Sequence, residues 1–322
     1  MLYPIKFKPT FHYRIWAGEK LKTELHKKYS EEKIGESWEI STVPNFVSEV
    51  ENGFLKGKNL KEIIEIYKEE LVGKSVWEKF GNEFPLLIKF LDAAEPLSVQ
   101  VHPNDSYAKE KHNSFGKTEI WYVVDCEENS ELIIGIKENI SKEEFKKRIE
   151  NGSLEEILNY VPVKKGDVFF IPAGRIHAIG KGITIAEIQQ TSDITYRIYD
   201  FNRIDINGKK RDLHIEDAMN VSDFTFIKNT KTDYKEPENS NIEIIKCSYF
   251  SINKWNKRED FSVKFSTNTF RILMITEGKG KIVSESNEEV LIQKGEVVLI
   301  PASLSKLNVK IDENIEILEI YV

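Results

Sequence analysis

The sequence predicts a mainly β protein built as two small antiparallel barrels, with helical segments inserted in the first. Three observations predict it. Runs with strand character dominate the chain. A Lys-Gly-acid turn feeding an apolar strand that ends at Pro occurs twice, at residues 165–173 and 294–302, an offset of 129; this is the wiring of a small barrel, repeated. Finally, 322 residues with 40% apolar content are enough for two cores.

The elements follow in order. Residues 60–80 carry Leu60, Ile63, Ile64, Tyr67, Leu71 and Val72 at helical spacing. In Leu97-Ser98-Val99-Gln100-Val101-His102-Pro103 short polar and apolar residues alternate, so Ser98, Gln100 and His102 share one face of a strand. Trp121-Tyr122-Val123-Val124, Glu131-Leu132-Ile133-Ile134 and Asp167-Val168-Phe169-Phe170-Ile171 read as strands. Ser141 caps a helix whose apolar positions are Phe145, Ile149, Leu154, Ile157 and Leu158, interrupted at Asn151-Gly152. The strand 183–188 places Thr184, Ala186 and Ile188 on one face and Ile183, Ile185 and Glu187 on the other. Asn207-Gly208 is a hairpin turn signal, and His214 is expected to cap a short helix over 215–220. The polar, turn-rich stretch 229–241 is the best linker. It divides the chain into a metal-binding barrel with helices, 1–228, and a linker plus second, metal-free barrel, 229–322.

Composition excludes some functions. The net charge is −7, with Lys and Arg scattered, which argues against a nucleic-acid partner. Cys126 and Cys247 form no C-x-x-C pair and read as small buried hydrophobes. No stretch approaches the roughly 20 apolar residues of a membrane helix, and the first residues lack a signal pattern. A cytoplasmic protein is expected, of undetermined oligomeric state.

The chemistry gathers around residue 100. The amide of Gln100 and the imidazole of His102 on one strand face can grip a single ion, and Glu119 and His177 could complete the set. The repeat places His177 opposite Lys306, and no histidine follows His214. A metal, if bound, therefore belongs to the first barrel. His12 and His26 lie outside ligand-like spacing, and His112 falls in a polar excursion between His102 and Glu119 where exposure is the default.

From Gly166 the sequence reads Gly, five residues, Pro, one residue, Gly, two residues, His177. That resembles the second motif of the cupin superfamily, double-stranded β-barrels (jelly rolls) that hold a metal in the barrel mouth. The first cupin motif, H-x-H followed closely by Glu, is here Gln100-x-His102, with Glu119 after sixteen intervening residues. Those departures resemble one cupin family, the type I phosphomannose isomerases of the short bacterial kind. The blocks that carry the likeness are Ile15-Trp16-Ala17-Gly18, Gly35-Glu36-Ser37-Trp38, Pro85-Leu86-Leu87-Ile88-Lys89, the Ser98-to-Pro103 run, residues 116–119, residues 172–178, and Glu187-Ile188-Gln189-Gln190-Thr191-Ser192-Asp193 through Tyr196-Arg197.

The resemblance implies one Zn²⁺ held by Gln100, His102, Glu119 and His177, and interconversion of mannose 6-phosphate and fructose 6-phosphate through an enediol(ate). It also implies an active-site role for Arg197 and pocket positions for Trp16 and Glu36, for which a core tryptophan and a surface glutamate are the plain alternatives. Lys117, two residues before Glu119, is a candidate cation beside the substrate, against a solvated loop lysine. Ser98 is a candidate substrate contact. Glu187, a carboxylate in a mostly apolar strand, needs a cation or a catalytic role and is the leading proton-transfer group. Two other classes remain open: a cupin oxygenase, since two histidines and a carboxylate also suit non-haem iron, and a non-catalytic sugar-phosphate or metal sensor.

Overall fold

The computed structural model describes residues 1–205, 208–285 and 287–322. Among these, three sheets carry the fold. A six-stranded sheet runs in the order Val168–Ile171, Glu119–Cys126, Ile183–Gln190, Leu86–Ala93, Ile34–Ile40, Thr10–Tyr13. A five-stranded sheet runs Tyr196–Tyr199, Val99–Val101, His177–Ala178, Glu131–Ile136, Leu158–Pro162. The two pack face to face: Trp121, Val123, Phe169 and Ile183 of the first share one apolar cluster with Leu132 and Ile134 of the second. This is the first barrel, and its pairings are antiparallel throughout.

The third sheet has nine strands and forms the second barrel, closed around Trp255, Leu273, Ile275, Val298 and Leu307. It also takes in the strand Ile5–Lys8, which pairs with Val297–Ile300. The chain thus begins in the sheet of its C-terminal half, so the first strand crosses the division expected near residue 229. The segment 229–240 contains no helix or strand. It is strapped to the first barrel by Lys231 on Asp167 at 2.6 Å and Tyr234 Oη donating to Gly166 O at 2.5 Å.

The outer face of the six-stranded sheet is covered too. Ile88, Phe90, Ile120, Tyr122 and Ile188 lie in one cluster with Leu60, Ile63, Leu71, Ile272, Leu299, Leu318 and Ile320. Every residue of Leu86–Ala93 and of Ile183–Gln190 is therefore buried. A charged residue on either strand must find a partner inside.

Some expected elements differ in detail. The helical stretch 60–80 is three helices, Leu60–Tyr67, Glu69–Val72 and Lys74–Phe80. Gly73 breaks it with φ +88°, where a Cβ would meet Asn268 O at 2.3 Å. Ser141 caps Lys142–Glu150 by accepting from Glu144 N, but that helix stops at Asn151-Gly152, and Leu158 begins a strand. His214 makes no side-chain cap to Ile215–Val221; its Nδ1 accepts from Arg197 N at 3.2 Å instead. The excursion after His102 contains an unforeseen helix, Asp105–His112, capped by Asn104. His112 is exposed at its end. The Asn207-Gly208 turn involves a residue outside the described set; the flanking Ile204 and Lys210 form an antiparallel bridge. Both cysteines are free and only partly buried, rather than fully buried.

Candidate active site

The site is built by register. Gln100, in Val99–Val101, faces His177 on one neighbouring strand and Arg197 on the other. Directly opposed residues in antiparallel strands project to the same side, so the three side chains emerge together. His102 follows two residues after Gln100. Glu119 opens the strand Glu119–Cys126 in the facing sheet, opposite Ile171 and Gln189.

His102 and His177 bring their Nε2 atoms to 3.1 Å of each other. Glu119 Oε2 lies 3.6 Å from His102 Nε2, and Glu119 Oε1 lies 3.4 Å from His177 Nε2. The Gln100 amide is 3.4 Å from His177 Nε2. All three of His102, Glu119 and His177 are at or below 1% exposure. The far nitrogens are committed: His102 Nδ1 to Ile194 O at 2.9 Å and His177 Nδ1 to Arg175 O at 2.7 Å. Carbonyl oxygens only accept, so each ring carries its proton on Nδ1, and both Nε2 lone pairs point at one spot. Burial also keeps both rings neutral, pushing His177 down to about 3 and His102 well below its ordinary value. Neither oxygen of Glu119 has a hydrogen-bond partner; its cation is Lys117, 3.0 Å from Oε2.

Lys117 faces Glu119 Oε2 and His102 Nε2, but Glu119 Oε1 and His177 Nε2, 3.4 Å apart, have no cation between them among the described residues, which is costly in a dry interior. Metal–nitrogen and metal–oxygen bonds of about 2.0–2.1 Å in a tetrahedron space the ligand atoms about 3.3 Å apart. The observed 3.1–3.6 Å spacing fits a divalent ion of that kind. The carbonyl contacts behind each ring are the outer support such ligands ordinarily have.

Above this cluster opens a cavity of about 540 Å³. Its apolar lining is Trp16, Leu91, Leu97, Trp121 and Ile179. Its polar lining includes Lys89, Lys117, Glu187, Ser98, Gln100 and Arg197, with Glu187 directly opposite Trp121 in the sheet. Glu187, 3% exposed, sits 3.4 Å from Lys89 Nζ and 3.8 Å from Lys117 Nζ. Burial raises its pKa against the pull of Lys89. Burial opposes the charge on Lys117, but Glu119 and Glu187 outweigh it and hold the ammonium above its ordinary pKa. Lys117 also lies 3.1 Å from His102 Nε2. It is a buried residue, not a solvated loop lysine. Glu36 is buried as well, not on the surface; it accepts from Arg14 Nε at 2.6 Å and Trp38 Nε1 at 2.7 Å and lies 3.8 Å from Lys89. Burial alone would raise its pKa, but Arg14 and Lys89 hold it far below the usual range.

Trp16 is brought into the cavity by a tight loop. Its carbonyl accepts from Ala94 N at 2.9 Å, and Gly18 N donates to Asp92 O at 3.2 Å. Asp92, 2% exposed, anchors the loop by accepting from Lys20 N at 2.7 Å. Arg197 Nε donates to Ser98 Oγ at 3.3 Å.

The structure thus brings all ten sequence-derived candidates to one cavity or its floor. Sequence reasoning gave no role to Lys89, Arg14, Trp38, His12 or Arg211, which line it too. Lys89 and Trp38 left a trace, Lys89 as a lone cation inside the run Leu86-Leu87-Ile88-Lys89-Phe90-Leu91 and Trp38 at the end of the block Gly35-Glu36-Ser37-Trp38.

Comparison with known proteins agrees with this geometry. Residues 5–147 match the family model for the catalytic domain of phosphomannose isomerase type I, and residues 240–322 match that for the cupin domain of mannose-6-phosphate isomerase. The chain is 40% identical to mannose-6-phosphate isomerase ManA of Bacillus subtilis over 95% of this chain and 96% of the relative. It is 39% identical to the mannose-6-phosphate isomerase of Streptococcus mutans over 94% of each. The crystal structure of the mannose 6-phosphate isomerase from Bacillus subtilis superimposes with a TM-score of 0.89, covering 100% of both chains at 33% identity.

Proposed function

The chain belongs to the type I mannose-6-phosphate isomerase family, and on that premise we propose that it interconverts mannose 6-phosphate and fructose 6-phosphate with one Zn²⁺ held by Gln100, His102, Glu119 and His177. The observation that carries the metal assignment is the pair of buried Nε2 atoms facing each other, with the Glu119 carboxylate 3.4–3.6 Å from both. The Gln100 amide would turn its oxygen to the ion, the two amide orientations being equivalent in shape. One carboxylate and three neutral donors leave the site a net positive charge. Zinc held there would supply positive charge to the oxygens of the reacting sugar.

The protein's own groups do the rest. An aldose becomes a ketose when the proton on C2 is removed, the carbonyl oxygen on C1 gains a proton, the hydroxyl on C2 loses one, and a proton is returned to C1. Glu187 is the group placed to carry that proton: its carboxylate lines the cavity, and its raised pKa brings it toward the range useful for abstraction. Lys117 stays an ammonium and donates to the oxygen on which charge develops. Lys89 keeps Glu187 in place and is itself steadied by Glu36. Trp16 and its apolar neighbours exclude water from the exposed face of the intermediate, and Ser98 contacts the sugar. The same reading places catalysis in 1–228, leaves 229–322 metal-free and supporting, and expects a cytoplasmic enzyme. Among the described residues no helix is long and apolar enough to cross a membrane.

The test is a coupled assay of the purified protein with mannose 6-phosphate, run as isolated, after chelation and after zinc restoration. Turnover lost on chelation and regained with zinc supports the reading. Turnover indifferent to chelation removes the metal from it, and absence of turnover at every stage removes the reaction.

A further inference from the structure

Besides the residues beside the metal cluster, Lys117 and Glu187, the cavity lining includes Arg197 and Arg211. Arg197 stands beside Gln100 and its guanidinium reaches Ser98, one same-face position further along the strand from the metal donors. Arg211 lines the same cavity from the segment that follows Tyr196–Tyr199. Asp200, 5% exposed, fixes it: Asp200 accepts from Arg211 Nε at 2.8 Å and from Arg211 Nη2, and also from Arg203 Nη2 at 2.5 Å.

Two arginines on one carboxylate keep a net positive charge. Arg197 adds a second, since among the described residues its guanidinium donates to two neutral oxygens, Ser98 Oγ and Asp212 O. These bonds occupy Nε and Nη2 of Arg211 and Nε and Nη1 of Arg197. Nη1 of Arg211 and Nη2 of Arg197 take no part in them. Asp193 and Asp205 line the wall as well, so the mouth is not uniformly basic; what distinguishes the two arginines is that they are held in place.

We infer that Arg211, together with Arg197, reads the phosphate group of the sugar, and that Asp200 is the residue that positions Arg211 for it. A phosphate monoester is a near-dianion with three acceptor oxygens, matched by planar guanidinium donors. Its carbon skeleton must reach the metal cluster at C1 and C2, which puts the phosphate at the far end of the cavity from Glu119. A guanidinium already anchored by a buried carboxylate loses little side-chain freedom when it binds. The contact is remote from the reacting carbons and equal in ground and transition states, so it acts on KM and leaves kcat nearly unchanged. The inference rests on the isomerase reading and adds the residue that selects phosphorylated sugars.

The experiment compares wild type with Arg211→Met, Arg211→Lys and Asp200→Asn, measuring kcat, KM, bound metal and the inhibition constant of inorganic phosphate. The expected result is a KM for mannose 6-phosphate raised about 10- to 100-fold in Arg211→Met, a phosphate inhibition constant raised by a similar factor, and kcat and metal content kept. Arg211→Lys restores part of the loss, and Asp200→Asn shows a smaller rise in both constants. Wild-type turnover on mannose 6-phosphate serves as the separate check of the isomerase reading. If wild type is active and Arg211→Met keeps both constants within twofold, Arg211 does not read the phosphate. A fall in kcat with loss of metal and an unchanged phosphate constant overturns the inference as well.

Discussion

His102 and His177 present Nε2 to Nε2 at 3.1 Å while each commits Nδ1 to a main-chain carbonyl. Neither nitrogen can serve the other as a donor in that tautomer, and Lys117 Nζ reaches only His102 Nε2, so a cation between the rings would be needed to satisfy both. Replacing either histidine by Ala is expected to abolish stoichiometric metal binding. Elemental analysis of the purified variants checks this, with the second barrel's core around Trp255 expected to stay folded.

Glu187 is expected to separate chemistry from binding. Glu187→Gln keeps the shape and the contact with Lys89 but removes the basic oxygen. Metal content and KM should change little while kcat falls about 10²- to 10⁴-fold. Solvent hydrogen exchange into recovered substrate should fall in parallel.

Lys89 is expected to matter although it touches no metal donor. Lys89→Met leaves Glu187 and Glu36 buried beside one fewer cation, an uncompensated charge of the kind that costs several kcal/mol. Both thermal stability and kcat should fall, with Lys89→Arg recovering part of the stability.

Gly18 lies where a Cβ would meet Asp92 Oδ2 at 2.3 Å. Gly18→Ala must therefore displace the carboxylate that accepts from Lys20 N and Thr184 Oγ1. A loss of about 1–3 kcal/mol is expected. Displacement of Trp16 should appear as a raised KM in the same variant.

His12 supplies a pH dependence of stability. It stacks on Trp38 at 4.1 Å, and burial lowers its pKa to about 4 from an ordinary value of 6.5. Between those values the unfolded chain binds the proton and the folded one does not. Its contribution is therefore intact above pH 6.5 and is lost as pH falls towards 4, by up to about 2–3 kcal/mol. Denaturant midpoints of wild type minus His12→Gln, followed from pH 7 to 4, should fall across that window.

What the sequence disclosed depended on the range of the interaction. Gln100 and His102 were legible because two residues on one strand share a face, and His177 because Gly and Pro mark the turn before it. Glu187 was legible as a carboxylate in an apolar strand, and the second barrel as the repeat of a Lys-Gly-acid turn. The pairing of Lys89 with Glu36 was not, because it depends on the register of Trp38 against Lys89 in segments far apart in the chain. The strand Ile5–Lys8 was missed for the same reason, its partner lying at the other end of the chain. The helix Asp105–His112 has Ala108 as its one buried residue, so it carries no apolar stripe to read.

The most direct test of the central claim is a titration of metal-free protein with zinc, following bound metal and turnover of mannose 6-phosphate together. Activity that rises linearly and stops at one zinc per chain, with no such rise in His177→Ala, is the predicted result. Full activity in the metal-free protein, or equal restoration in His177→Ala, would contradict it.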